Sequence, residues 1–173
     1  MTTSIRTTTG PIGPAEFRNA MALLVAPITV VTTLDATGRR WGFTASAVTS
    51  VSMEPPLMLV GIGRESSCHP ALTSADEFAV NLLGEEHQAT ARAFATRDSD
   101  RFAASGGFEQ WPGAAIPYLP AATAAFRCRR TDVVPAGDHD LVLGELVEIH
   151  TGESTAPLLW YRRDFHTPER SRT

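Results

Sequence analysis

Stretches that alternate apolar and polar residues, joined by turns too short to carry a helix, constrain this chain more than any other feature. The run ITVVTTLDATGRRWGFTASAV (residues 28–48) holds two β-branched segments around Asp35-Ala36-Thr37-Gly38. That cluster suits a turn, because Asp bonds to nearby backbone and Gly tolerates positive φ. AATAAFRCRRTDVV and HDLVLGELVEIHTG repeat the pattern around Pro135-Ala136-Gly137-Asp138. Each pair predicts an antiparallel hairpin. PPLMLVGIG, an apolar run after a Pro pair, and EFAVNLL predict further strands.

Helical signals are fewer. PAEFRNAMALL sets Phe17, Ala20, Met21 and Leu24 at helical spacing and predicts one amphipathic helix near 14–25. SSCHPALTSADE offers Ser67 as an N-cap with Pro70 early in a short helix. GEEHQATARAFA carries acids in its first turn and Arg92 later, as the helix dipole favours. DSDRFAASGGFEQWPGAAIPYLP reads as irregular. Without βαβα alternation a parallel Rossmann sheet is disfavoured. The expected architecture is mainly β with a few helices, an antiparallel barrel.

At 173 residues one domain is expected, with a flexible leader over 1–14 and a tail over 168–173. The net charge of −4 argues against a nucleic-acid partner, because phosphate backbones are met by a basic excess. The basic C-terminal run YRRDFHTPERSRT is interrupted by acids and reads as a solvated tail. No apolar run approaches a membrane span, and the N-terminus lacks a signal-peptide pattern, so a cytoplasmic protein is expected. Cys68 and Cys128 form no C-x-x-C pair and read as buried or half-buried thiols.

Familiar catalytic motifs fail on inspection. Gly61-Ile62-Gly63 follows a strand, but Ser66 stands where a dinucleotide fingerprint needs its third glycine. The five histidines are scattered, and in Asp138-His139-Asp140 the acids would lie on the face opposite the His, a poor metal geometry. GFTASAVTSVSMEPP (42–56) is different. As extended chain it places Thr44, Ser46, Ser50 and Ser52 with Val48 on one face, and Phe43, Ala45, Ala47, Val51 and Met53 with Thr49 on the other. A strand through about Val48, then a turn or bulge over Thr49–Ser52, is expected. Small side chains and neutral hydroxyls suit a flat ligand or a phosphate. A water-facing edge strand accounts for the pattern equally well.

Taken in order, ITVVTTLDATGRRWGFTASAVTSVSMEPPLMLVGI, FAVNLL, ARAFA, DRF, PAGDHDLVLGELVEI and PLLWYRRDFH resemble the flavin reductase-like family, over about residues 15–167. These are small NAD(P)H:flavin oxidoreductases that supply two-component monooxygenases. The resemblance implies an FMN-binding split β-barrel of Greek-key type, a homodimer, FMN or FAD as flavin, NADH or NADPH as hydride donor, and a separate monooxygenase as partner. It assigns the flavin to Phe43, Thr44, Ala45, Ser46, Ala47, Ser50, Val51 and Ser52, and to Gly61, Ile62 and Ser67 on the following segment. Arg64 or Arg101 is expected to screen the flavin phosphate, and His139 to contact the nicotinamide. Asn81 matches a recurrent Asn that satisfies a buried group or touches the cofactor. Tyr161 and Phe165 form an aromatic wall or pack in a core or dimer contact. Trp41 and Cys68-His69-Pro70 depart from the family pattern. A tightly held flavin, as in an oxidase or single-component monooxygenase, and a non-catalytic flavin-binding module are the alternatives.

Overall fold

A computed structural model describes residues 10–97, 100–152 and 156–168. In chain order it contains α1 (Pro14–Met21), β1 (Ala26–Pro27), β2 (Thr29–Leu34), β3 (Arg40–Ala45), β4 (Val48–Met53), β5 (Pro56–Gly63), α2 (His69–Ser74) and β6 (Glu77–Leu82). There follow α3 (Gln88–Ala95), α4 (Arg101–Ser105), β7 (Glu109–Gln110), β8 (Pro117–Tyr118), β9 (Ala124–Ala136), β10 (His139–Thr151), β11 (Leu159–Tyr161) and β12 (Asp164–His166). The predicted hairpins β2–β3 and β9–β10 both form, and every strand pairing in the main sheet is antiparallel.

The seven-stranded sheet has the order β3-β2-β6-β9-β10-β5-β4. Its two outermost strands, β3 and β4, are consecutive in the chain and joined only by Ser46-Ala47. Three residue steps reach about 10 Å at most, so the sheet must curl until its edges approach each other at this corner. The Gly61 N–H donates to the Ala47 carbonyl there at 2.8 Å. Inside the curl, Val31, Val60, Ile62, Leu72, Phe78, Val80 and Val142 form one core. A second core under the helices gathers Ile28, Val30, Leu83, Phe94, Phe102 and Leu158. Gly42 permits β3 to lie directly on α3, because a Cβ there would sit 2.6 Å from the Phe94 ring.

Several expectations change. The strand expected through about Val48 ends at Ala45, and where a turn or bulge was expected over Thr49–Ser52 β4 runs from Val48 to Met53 with a register shift between Ser50 and Ser52. Because the corner redirects the chain, the alternation does not carry across it: Val51 is exposed and Met53 is 94% exposed. Helix α1 stops at Met21, and Phe17, Met21 and Leu24 on its predicted apolar stripe are exposed within this chain. Cys68, not Ser67, is the N-cap residue of α2. Within the stretch read as irregular, Asp100 caps α4 by accepting from the Ala103 N–H at 3.1 Å, and β7 pairs with β8. The C-terminal basic run is not a free tail up to His166. There β11 and β12 pair and β1 joins them, with the Trp160 and Phe165 rings edge to face at 5.1 Å. The end of the tail, 169–173, lies outside the described residues. Among those described, no helix is long and apolar enough to cross a membrane.

Candidate functional site

Most of the residues singled out in the sequence fall into four places. Ser67 and Arg101 meet at a cavity of about 620 Å³ lined also by Arg39, Arg40, Trp41, Gly42, Asp100 and Phe102. The Arg101 guanidinium is held from three sides. Nε donates to the Thr96 carbonyl at 2.9 Å, and Nη1 donates to the Gly42 carbonyl and the Cys68 Sγ. Nη2 is left facing the Ser67 hydroxyl at 3.5 Å. Arg40 lies over the Phe102 ring at 4.6 Å and Arg39 over the Trp41 ring at 4.4 Å. These stacks hold two more cations at the cavity. Trp41 is itself fixed by donating from Nε1 to Asp35 at 2.8 Å. Bonds from Thr37 and then Trp41 hold the Asp35 carboxyl far below the usual range. The acid in the lining, Asp100, is committed to its cap. The cavity therefore suits an anionic group.

A second cavity, about 460 Å³, is lined by Ile28, Thr44, Ser46, Ala91, Arg92, Ala95, Thr96, Trp160 and Phe165. The Thr44 hydroxyl donates to the Ala91 carbonyl at 2.6 Å, tying β3 to α3, whereas Ser46 is exposed at the corner. Arg92 sits 4.7 Å over Phe165. Tyr161 lines neither cavity; its ring meets His166 at 5.7 Å. Ser50 and Val51 are exposed on β4, Ser52 is half-buried, and Ala47 is exposed beside the buried Gly61.

The third place is where β10 begins. His139 pairs in register with Gly63, and its ring Nε2 would lie 3.5 Å from a Cβ at that glycine. Nδ1 is 2.7 Å from the Asp138 carboxylate, and this bond holds the Asp138 carboxyl below its usual range. The His139 side chain is 50% exposed. Arg64 begins the loop after β5 and turns back to Asp140.

The fourth place is the interior, and it corrects part of the expectation. Asn81 is 0% exposed. Its amide donates to the Val30 carbonyl at 2.8 Å and accepts from the Leu119 N–H at 2.8 Å. A side chain so enclosed serves the core, and it does not reach a ligand at the surface of this chain. The side chains of Ala45 and Ile62 are likewise core, and Phe43 packs against it. Neither cysteine is at the surface, and burial pushes the Cys128 thiol up to about 12, which removes it as a nucleophile. Sequence reasoning missed Arg39, Arg40 and Phe102 as cavity residues. RRWG beside the hydroxyl-rich stretch, and DRF already singled out, carried that signal.

The model of the flavin reductase like domain matches residues 21–169. The chain belongs to the flavin reductase-like family. A relative from Streptomyces pristinaespiralis, NADH:riboflavin 5'-phosphate oxidoreductase, is 60% identical over 91% of this chain and 89% of its own length. The reductase component of the flavin-dependent trigonelline monooxygenase of Acinetobacter baylyi is 36% identical over 91% of this chain and 50% of its own length. Among solved structures, the NADH:FAD oxidoreductase SgcE6 of Streptomyces globisporus C-1027, in complex with NAD and FAD fragments, superposes with a TM-score of 0.86 at 26% identity. That match covers 95% of this chain and all of the other. Within this flavin reductase-like chain, the three-arginine cavity and the His139 end of β10 flank the same β5–α2 connection.

Proposed function

We propose that the protein is an NADH-dependent flavin reductase that reduces FMN and releases it to a separate monooxygenase component. The carrying observation is the cavity in which Arg39, Arg40 and Arg101 face Ser67. Three cations and a hydroxyl meet a phosphate monoester well, and the volume is in the range of small-molecule sites, about 300–1,000 Å³. The 60% identity to an NADH:riboflavin 5'-phosphate oxidoreductase supports FMN and NADH as the preferred pair. The 36% identity to a monooxygenase reductase component supports the partner.

Bound flavin supplies a ring that accepts hydride from the nicotinamide, so the protein must bind and orient rather than attack. In this reading the arginine cavity takes the phosphate, and the Ser46–Ser52 corner borders the ring through exposed hydroxyls and amides. His139, beside the bare Cα of Gly63, meets the nicotinamide. The curled sheet is read as a split β-barrel of a cytoplasmic homodimer. Phe17, Met21, Leu23, Leu24 and Val25 are large apolar side chains exposed on and just after α1, and a second copy of the chain would cover them. Sedimentation equilibrium tests this, and a monomeric mass removes it.

The function is tested by following NADH oxidation with and without added FMN. Saturable oxidation that requires added flavin is expected; turnover without it points to a retained prosthetic group, and flavin binding without turnover removes the enzyme reading. In the same assay His139→Ala raises the KM for NADH by about 5- to 10-fold, the worth of about one hydrogen bond or ring contact, with the KM for FMN changed less than 2-fold. Equal NADH dependence in variant and parent takes His139 out of the site.

A further inference from the structure

Asp140 is the second residue of β10, next to His139, yet its carboxylate faces away from solvent, with the side chain 12% exposed. One oxygen, Oδ1, accepts from Arg64 through Nε at 3.1 Å and Nη2 at 2.8 Å. The other, Oδ2, lies 2.7 Å from His69 Nε2. Arg64 follows directly on β5, and His69 is the first residue of α2. A single carboxylate thus grips both ends of the connection between these elements. The Arg64 N–H adds a bond to the Asp138 carbonyl at 3.0 Å.

Arg64, and after it His69, hold the Asp140 carboxyl below its usual range. It is therefore ionised at neutral pH and only accepts, so His69 Nε2 is a donor. Between the gripped ends lie Ser67, which lines the three-arginine cavity, and Cys68, whose Sγ accepts from Arg101. Internal bonds from the Ser66 N–H to the Gly63 carbonyl and from the His69 N–H to the Ser66 carbonyl, at 2.9 and 3.0 Å, make the connection compact. A compact segment held at both ends moves as one piece, and its position is set by the holding group.

We propose that Asp140 is a positioning residue for flavin binding, closing the Arg64–His69 connection at both ends and thereby holding Ser67 at the Arg101 cavity. The proposal rests on the reading that the FMN phosphate occupies that cavity. It also gives a role to His69, one of the residues by which the chain departs from its family's pattern.

The test is titration of the intact protein with FMN, read by flavin fluorescence, beside the steady-state KM for NADH. Asp140→Asn weakens FMN binding by about 5- to 10-fold, consistent with loss of a charge-assisted bond, and leaves the KM for NADH within 2-fold. His69→Ala acts in the same direction by about 2- to 3-fold and His69→Gln, which keeps a donor, recovers most of the loss. In a Ser67→Ala background, Asp140→Asn costs less than 2-fold more, because both changes act through one contact.

Parent-like FMN affinity in Asp140→Asn overturns the proposal, as does an undiminished effect in the Ser67→Ala background. Should Asp140→Asn fail to fold, His69→Ala passes through the same cycle under the same criteria. If Ser67→Ala and Arg101→Ala both leave FMN affinity untouched, the cavity reading fails and takes the proposal with it. If those two weaken FMN while Asp140→Asn and His69→Ala are silent, the proposal alone fails.

Discussion

Replacing Arg101 with Ala raises the KM for FMN on the order of 10- to 100-fold, the consequence of losing charge-assisted hydrogen bonds to a phosphate. Nε and Nη1 are spent on Thr96, Gly42 and Cys68, so the backbone itself aims Nη2 at the cavity. Arg101→Lys keeps the charge but not the planar fork, and it recovers only part of the affinity. Raising ionic strength narrows the gap between parent and Arg101→Ala, because the lost interaction is screened by salt. The thermal midpoint is measured in parallel, since the same variant removes bonds between α4 and β3. An Arg101→Ala protein that remains folded with a parent-like KM for FMN would place the phosphate elsewhere.

Asn81→Leu lowers stability by about 3 kcal/mol, since each stranded buried polar group costs about 1–3 kcal/mol. Leucine keeps the branched outline of asparagine, though its methyls are bulkier, and it leaves the Leu119 N–H without its acceptor and the Val30 carbonyl without the side-chain donor. The lost amide also bonded Thr32 Oγ1 at 3.3 Å, and that hydroxyl donates to the Pro117 carbonyl, so β2, β6 and β8 loosen together. For a chain of this size the thermal midpoint falls by about 6–12 °C. The KM for FMN of the protein that remains folded stays within 2-fold of the parent. A stable variant with a large rise in that KM would return Asn81 to the ligand site.

The hairpins were legible because turn formers and β-branched residues act locally: Asp35 accepts from the backbone and hydroxyl of Thr37, as its type and spacing imply. The corner at Ser46-Ala47 was not. Its place depends on β3 and β4 lying at opposite edges of one sheet, which no period-two pattern records. Asn81 shows the same limit from the other side. Its match to a recurrent residue left two roles open, and only its enclosure by β2 and the segment before β9 separates them.

The cavity is a further case. Arg39 and Arg40 are separated from Arg101 by about sixty residues of chain, and their convergence follows from α4 packing beneath β3 through Phe94 and Phe102, whose rings meet edge to face at 5.1 Å. In Asp138-His139-Asp140 the alternation sets the two acids on the face opposite the His. What the strand alternation could not say is that Asp140 would find Arg64 and His69 across the β5–α2 connection.

By itself the sequence determined the antiparallel β class, the main hairpins and the family, all of which rest on local propensity and ordered motifs. Tertiary structure alone decided where the sheet turns its corner, which polar groups are core, and which cations share a cavity. Those outcomes arise from contacts between residues far apart in the chain, where burial and charge pairing outweigh any local preference.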